Sequence, residues 1–180
     1  MTEGGSVSST PRRVRLERLS AKHLGALDAL ARDPEVRRHT YVPSEPRAGF
    51  GKEWLEVYER GRKDGTREGF AVVDAGDGSL VGLAAAVRLD QEGREAELGY
   101  IVAPEARGRG VAGEALSLLT EWGFSRGLQR LELRIGADNI ASQRVAERCG
   151  YVREGVLRSV HFKEGRRSDI AVYSRLGSDD

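Results

Sequence analysis

Two arginines alternate with two glycines at Arg107-Gly108-Arg109-Gly110, directly before a run with apolar residues at Val111, Ala115, Leu118, Leu119 and Trp122, a helical spacing. A glycine-rich turn that opens a helix leaves backbone N–H groups without intrahelical partners beside the positive end of the helix dipole. Such a turn holds anions, and guanidinium groups add charge and fork-shaped donors suited to phosphate. The expected chemistry is the binding of a phosphate-bearing ligand. The plainer alternative is a solvent-facing turn, with glycines for positive φ and arginines for solubility. Upstream, Glu97 begins the alternating stretch Glu97 to Val102 that leads through Pro104 into this turn, and it differs from its neighbour Glu95 only by position.

The turn contains a literal G-x-G-x-x-G at Gly108, Gly110 and Gly113, with Glu132 near the distance of a ribose-binding acid. Three features oppose a dinucleotide site. Several residues, Pro104 among them, separate the strand from Gly108. Hairpins precede the strand where βαβ units would be required, and only one crossover comes after it. A Walker loop is excluded because no Gly-Lys-Ser/Thr occurs. Cys149 reads as a small buried hydrophobe, and His23, His39 and His161 show no metal-ligand spacing, so no metal is expected.

The elements that must position these groups are marked by changes of period. Val14, Leu16 and Leu19 mark a strand from about Arg12 to Arg18. Ser20 caps a helix with Leu24, Leu27, Leu30 and Ala31 on one face, and Pro34 lies just beyond it. Arg37 to Pro46 reads as an irregular loop. A second helix is expected over Arg47 to Lys63, with Phe50, Trp54, Leu55 and Tyr58 at helical spacing. The period then drops to two: Phe70–Asp74, a Gly76-Asp77-Gly78 turn, Leu80–Leu89, a turn around Gly93, and the Glu97 strand. After the Gly/Arg turn come the Val111 helix and a strand with Leu131, Leu133 and Ile135, which makes a right-handed parallel crossover. A short helix capped by Asp138 or Asn139 ends at Gly150. A hairpin of about Val152–Phe162 and Ser168–Leu176 closes the chain. The fold class is α+β: a mixed, mostly antiparallel seven-stranded sheet with four main helices.

Bulk properties agree. The 180 residues are 32% charged and 39% hydrophobic with a net charge of +1, which suits one soluble domain and gives no push towards nucleic acid. The longest apolar stretch, Leu80 to Val87, is far too short for a membrane span. Residues 1–11 have no hydrophobic signal region and are expected to form a flexible tail. Residues 12–177 are expected to form one domain and 178–180 a C-terminal tail. A single cysteine points to a reducing, cytoplasmic location.

Arg107-Gly108-Arg109-Gly110-Val111-Ala112 also matches the [Gln/Arg]-x-x-Gly-x-[Gly/Ala] signature of the GCN5-related N-acetyltransferase (GNAT) superfamily. With Asn139-Ile140-Ala141-Ser142 and Cys149-Gly150-Tyr151 at their distances, the chain resembles the RimJ/RimL ribosomal-protein N-acetyltransferase branch over about Val14 to Leu176. The resemblance implies the acyl-CoA N-acyltransferase fold and acetyl-CoA as co-substrate, its pyrophosphate held by the amides of Arg107, Gly108, Arg109, Gly110, Val111 and Ala112. It implies that Leu98 to Val102 splays from Leu131 to Ile135, so that Tyr100, Ile101 and Val102 pair with the pantetheine arm. Asn139 would contact pantetheine, although it also suits helix capping. Ser142 would touch the coenzyme and protonate the leaving thiolate, since the tyrosine many relatives use four residues later is Ala146 here. Glu97 would accept the proton of the incoming amine, and His39 and Tyr41 would line the acceptor groove. The implied acceptor is a primary amine, a protein N-terminal α-amine in this branch. An amino acid or aminoglycoside and a non-catalytic acyl-CoA-binding module are the alternatives. Homodimers are common in the family, and no membrane or nucleic-acid partner is implied.

Overall fold

Leu80–Asp90 forms the centre of the molecule because its residues from Val81 to Ala86 are buried on both faces. Such a strand cannot show polar alternation, and small alanines let helices approach it from either side. The computed structural model describes residues 12–179; the expected N-terminal tail, residues 1–11, lies outside the described residues, as does residue 180. The elements are β1 (Val14–Arg18), α1 (Leu24–Arg32), α2 (Pro34–His39), α3 (Phe50–Lys63), β2 (Glu68–Asp74), β3 (Leu80–Asp90), β4 (Glu95–Val102), α4 (Val111–Ser125), β5 (Arg130–Gly136), α5 (Ile140–Arg148), β6 (Val152–Lys163) and β7 (Arg166–Leu176). Short 3-10 turns precede α1 and follow β4.

The seven strands lie in the order β1-β2-β3-β4-β5-β7-β6, and every pairing is antiparallel except β4 with β5. The parallel pair is the one joined through α4, as a crossover requires. One face of the sheet carries α4 and α5 over a core that includes Leu116, Leu119, Leu131, Leu133 and Tyr173. The opposite face is covered over β2 and β3 by α1 and α3, through Leu27, Leu30, Leu55 and Tyr58.

Two expectations are corrected here. The segment from Arg37 is not irregular at its start: Asp33 accepts from the Val36 N–H at 3.0 Å and caps a short helix, α2, with Pro34 in its first turn. This Asp-Pro start is a strong helix signal that the expected loop overlooked. The second expected helix begins at Phe50, not Arg47, because Gly49 takes a left-handed φ of 81° and Gly51 donates to Asp28. The last hairpin pairs as far as Lys163 with Arg166 through the two-residue turn Glu164-Gly165, both at positive φ.

Candidate active site

Strand β4 is held differently on its two sides. Its pairing with β5 runs from Glu95 with Arg130 to Leu98 with Leu133 and stops there, whereas its pairing with β3 continues to Val102. A bulge at Val87 in β3, opposite Leu98 and Glu97, coincides with the point of divergence. Bulges bend a strand and re-aim the residues beyond them. The last third of β4 is therefore paired on one side only. Antiparallel ladders use alternate residues, and Ala103 donates to Val81 on β3 at 2.9 Å. By that alternation Ile101 is committed to β3, while the backbone groups of Tyr100 and Val102 face the opening. The expected trio of Tyr100, Ile101 and Val102 thus splits, with Ile101 contributing its side chain to the core beneath α1 and α3.

A close contact fixes this segment. A Cβ on Gly82 would lie 2.3 Å from the Ile101 carbonyl oxygen, a backbone atom that cannot swing aside. Gly82→Ala is expected to lower stability by about 1–3 kcal/mol through overpacking, read from chemical denaturation. An unchanged unfolding midpoint would show that β4 gives way freely.

Past β4, Arg107-Gly108-Arg109-Gly110 is gripped at two places. The Arg107 guanidinium reaches Asp33 at 2.5 Å and donates through Nε to the Val102 carbonyl at 3.2 Å. Arg13 donates to the Arg109 carbonyl at 2.7 Å, and its own N–H donates to the Glu114 carboxylate at 2.8 Å. Gly108 and Gly110 take φ values of 72° and 83°, which side-chain-bearing residues rarely adopt. Among the turn, loop and cap contacts of the described residues, the N–H groups of Gly108, Arg109, Gly110, Val111 and Ala112 find no acceptor. A Cβ at Gly108 or Gly113 would meet open space. A row of donors on a turn held at two places, at the start of a fifteen-residue helix, has the chemistry to hold an anion. Arg107 corrects the initial reading: its guanidinium anchors the turn instead of standing free for phosphate. The exposed Arg109 side chain makes no hydrogen bond or ion pair among the described residues.

Across the opening, Asn139 caps α5 by accepting from the Ser142 N–H at 3.1 Å, which leaves the Asn139 amide NH2 as donor. The Ser142 carbonyl accepts from the Tyr100 hydroxyl at 3.3 Å. Burial, partly offset by the Ser142 side chain, pushes the Tyr100 phenol up to about 12. Ala146 is 0% exposed and lies in the core, so no aromatic side chain fits at that position without repacking. Cys149 is half-buried, and its burial raises the thiol pKa, which makes it a poor nucleophile.

Glu97 lies on the other face of β4. Leu98, Tyr100 and Val102 pack towards α4, whereas Ile101 packs towards α1 and α3, so the odd-numbered Glu97 is turned towards the second face. Burial pushes its carboxyl above the ordinary value; Arg134 and Arg88 oppose that rise and Glu132, its register partner on β5, adds to it. The nearest cation is Arg88 at 4.0 Å. Glu132 is instead held by Arg130 at 3.0 Å and Arg134 at 3.1 Å.

His39 stands at the last turn of α2, not in a loop, with Glu35 at 3.5 Å and Asp138 at 3.9 Å. Tyr41 is 76% exposed and rests on His161 of β6 at 4.6 Å between ring centres. His39 therefore lies beside the end of β5, and Tyr41 lies against β6. Lys163, which carries no motif, donates to the carbonyls of Arg37, Thr40 and Val42, while Ser44 donates to Glu164. The β6–β7 turn thus fastens the segment after α2. Among the described residues no group of His, Cys, Asp or Glu could hold a metal ion, and no helix is long and apolar enough to cross a membrane.

A parallel strand pair that parts beside an amide-lined helix start is what the resemblance to the GNAT family implies. The chain belongs to the GNAT acetyltransferase family: residues 13–152 match the acetyltransferase (GNAT) domain. It is 30% identical over 132 residues to spermidine N(1)-acetyltransferase of Vibrio cholerae, covering 73% of this chain and 75% of that protein. It is 30% identical over 98 residues to the ribosomal-protein-serine acetyltransferase of Escherichia coli, about half of each chain (54% and 55%). A solved spermidine N-acetyltransferase from Vibrio cholerae, in complex with CoA and spermine, superposes with a TM-score of 0.81 at 26% identity over 93% of this chain and 97% of that one. The chain is also similar in fold to a RimL ribosomal L7/L12 alpha-N-protein acetyltransferase in complex with coenzyme A, with a TM-score of 0.82 at 19% identity over 94% of this chain and 97% of that one.

Proposed function

We propose that this N-acetyltransferase moves the acetyl group of acetyl-CoA to the α-amine of a peptide or protein N-terminus. The observation that supports coenzyme A most strongly is the set of unpartnered amides from Gly108 to Ala112 on a turn fixed by Asp33 and Arg13. These amides would hold the pyrophosphate, and Arg109 would add a free guanidinium. The backbone groups of Tyr100 and Val102 that face the opening would pair with pantetheine amides, joined by the Asn139 NH2. A donor from the same stretch would steady the thioester oxygen as it gains charge. The N–H of Ile101 is excluded from that role by its commitment to β3.

In this account Glu97 accepts the proton that the amine loses as its nitrogen bonds to the acetyl carbon. Ser142 donates a proton to the sulfur as the C–S bond breaks and is reprotonated from solvent. The two residues lie on opposite faces of β4, so amine and coenzyme approach from opposite sides. A carboxylate held above its usual range by burial is a stronger base than a surface one.

The acceptor reading rests on charge. A polyamine needs several unneutralised carboxylates. On the face of Glu97, Glu132 is paired with two arginines and Glu154 lies 2.7 Å from Arg130. Beside His39, Asp138 faces Arg38 at 3.1 Å. Glu97, loosely paired, matches one amine. Thiol release measured over N-terminal peptides, spermidine and an aminoglycoside is expected to show the peptides turned over with the highest kcat/KM. Faster turnover of spermidine would overturn the acceptor reading, and release with none of them would point to a non-catalytic module.

A further inference from the structure

The helix beside the acceptor mouth and the turn read as the coenzyme cradle are joined by one side chain. Asp33 uses Oδ1 twice: it accepts from the Val36 N–H at 3.0 Å, which caps α2, and from Arg107 at 2.5 Å. The Asp33 side chain is 9% exposed, while that of Arg107 remains 37% exposed. Arg107 in turn donates to the carbonyl of Val102, the last residue of β4. Burial alone would raise the Asp33 carboxyl; Arg107 and the Val36 amide outweigh it and hold the pKa below the usual value. At its other end α2 carries His39 and runs into the segment fastened by Lys163.

We propose that Asp33 and Arg107 act together as a positioning strut that sets the geometry of both substrate sites. This rests on the reading of the Gly108 turn as the acetyl-CoA site. The carboxylate of Asp33 fixes where α2 begins, and hence where His39 and the acceptor mouth stand. The guanidinium of Arg107 fixes where the row of amides begins, and through Val102 it fixes the open edge of β4. A shift at either end is transmitted over two bonds to the other. Nothing in the strut touches the reacting atoms, so its loss should weaken binding of both substrates more than it slows the chemical step.

The test separates position from stability. Asp33→Asn keeps a side chain that caps as well as aspartate but removes the charge. It is expected to raise the dissociation constant for acetyl-CoA, by calorimetry, and the KM for the peptide each about three- to tenfold, a range typical of one lost hydrogen bond at a partly exposed site, with kcat changed less than either. Arg107→Met should weaken acetyl-CoA binding comparably, Arg107→Lys should fall between it and the unaltered protein, and Asp33→Asn/Arg107→Met should be no worse than the poorer single variant. The strut is refuted if Asp33→Asn shifts only the melting temperature, if it affects one substrate alone, or if the two single effects add. Failure of the unaltered protein to bind acetyl-CoA would instead refute the underlying assignment of the turn.

Discussion

Gly110→Asp is expected to weaken acetyl-CoA binding at least tenfold beyond the loss caused by Gly110→Asn. Gly110 caps α4 at a φ of 83° and lies within the row of free amides. Asparagine and aspartate are the side-chain-bearing residues that best tolerate this backbone region, and they have the same shape. A Cβ here would meet only Arg13 Nη1 at 3.9 Å, so there is room for both. The two variants share the backbone strain, and their difference reports charge. A carboxylate about 4 Å from a phosphate charge is repelled by roughly 4 kcal/mol at an effective dielectric near 20. Solvent at this exposed turn reduces that figure, but about 1.4 kcal/mol suffices for tenfold. Calorimetric titration of the two variants side by side checks it. Equal affinities would place the phosphates elsewhere.

Glu97→Gln is expected to lower kcat on an N-terminal peptide by roughly 10²-fold near pH 6.5, the lower end of what a general base supplies. The defect should narrow towards pH 9. An α-amine has a pKa of about 7.7–8.0, so above that range most of the acceptor is already neutral, and hydroxide and buffer can increasingly take the proton lost as the C–N bond forms. In the unaltered protein the carboxyl of Glu97 is raised and must be ionised to act. Activity therefore rises with pH through that raised pKa, and Glu97→Gln should lose this acid limb. The stability effect runs the other way, because a raised carboxyl favours the folded state below the unfolded pKa and loses that contribution as pH rises through the folded one. A pH-rate profile of the variant that merely parallels the original would rule Glu97 out as the base.

Much of this was legible in the residues. Alternation, with turn signals bounding the continuously apolar Leu80 strand, identified seven strands, and the Gly/Arg turn before the Val111 helix marked a candidate anion cradle, because glycine conformation and helix-end chemistry are local properties. The parting of β4 from β5 came from resemblance alone, since splay depends on a bulge at Val87 whose residues look like any buried strand. Arg107 was misread as a free phosphate donor because its partner, Asp33, is distant in sequence and its own type suits both roles. Asp33-Pro34 did carry a readable helix start. Lys163 carried no signal, since three backbone carbonyls from a remote segment leave no pattern in the chain.

The central claim is that the turn from Arg107 to Ala112 is the coenzyme A pyrophosphate site and not a dinucleotide fingerprint. Calorimetric titration of the unaltered protein with acetyl-CoA, and separately with NAD, tests it most directly. One acetyl-CoA per chain and no heat from NAD is the predicted result. Saturable binding of NAD without binding of acetyl-CoA would contradict it.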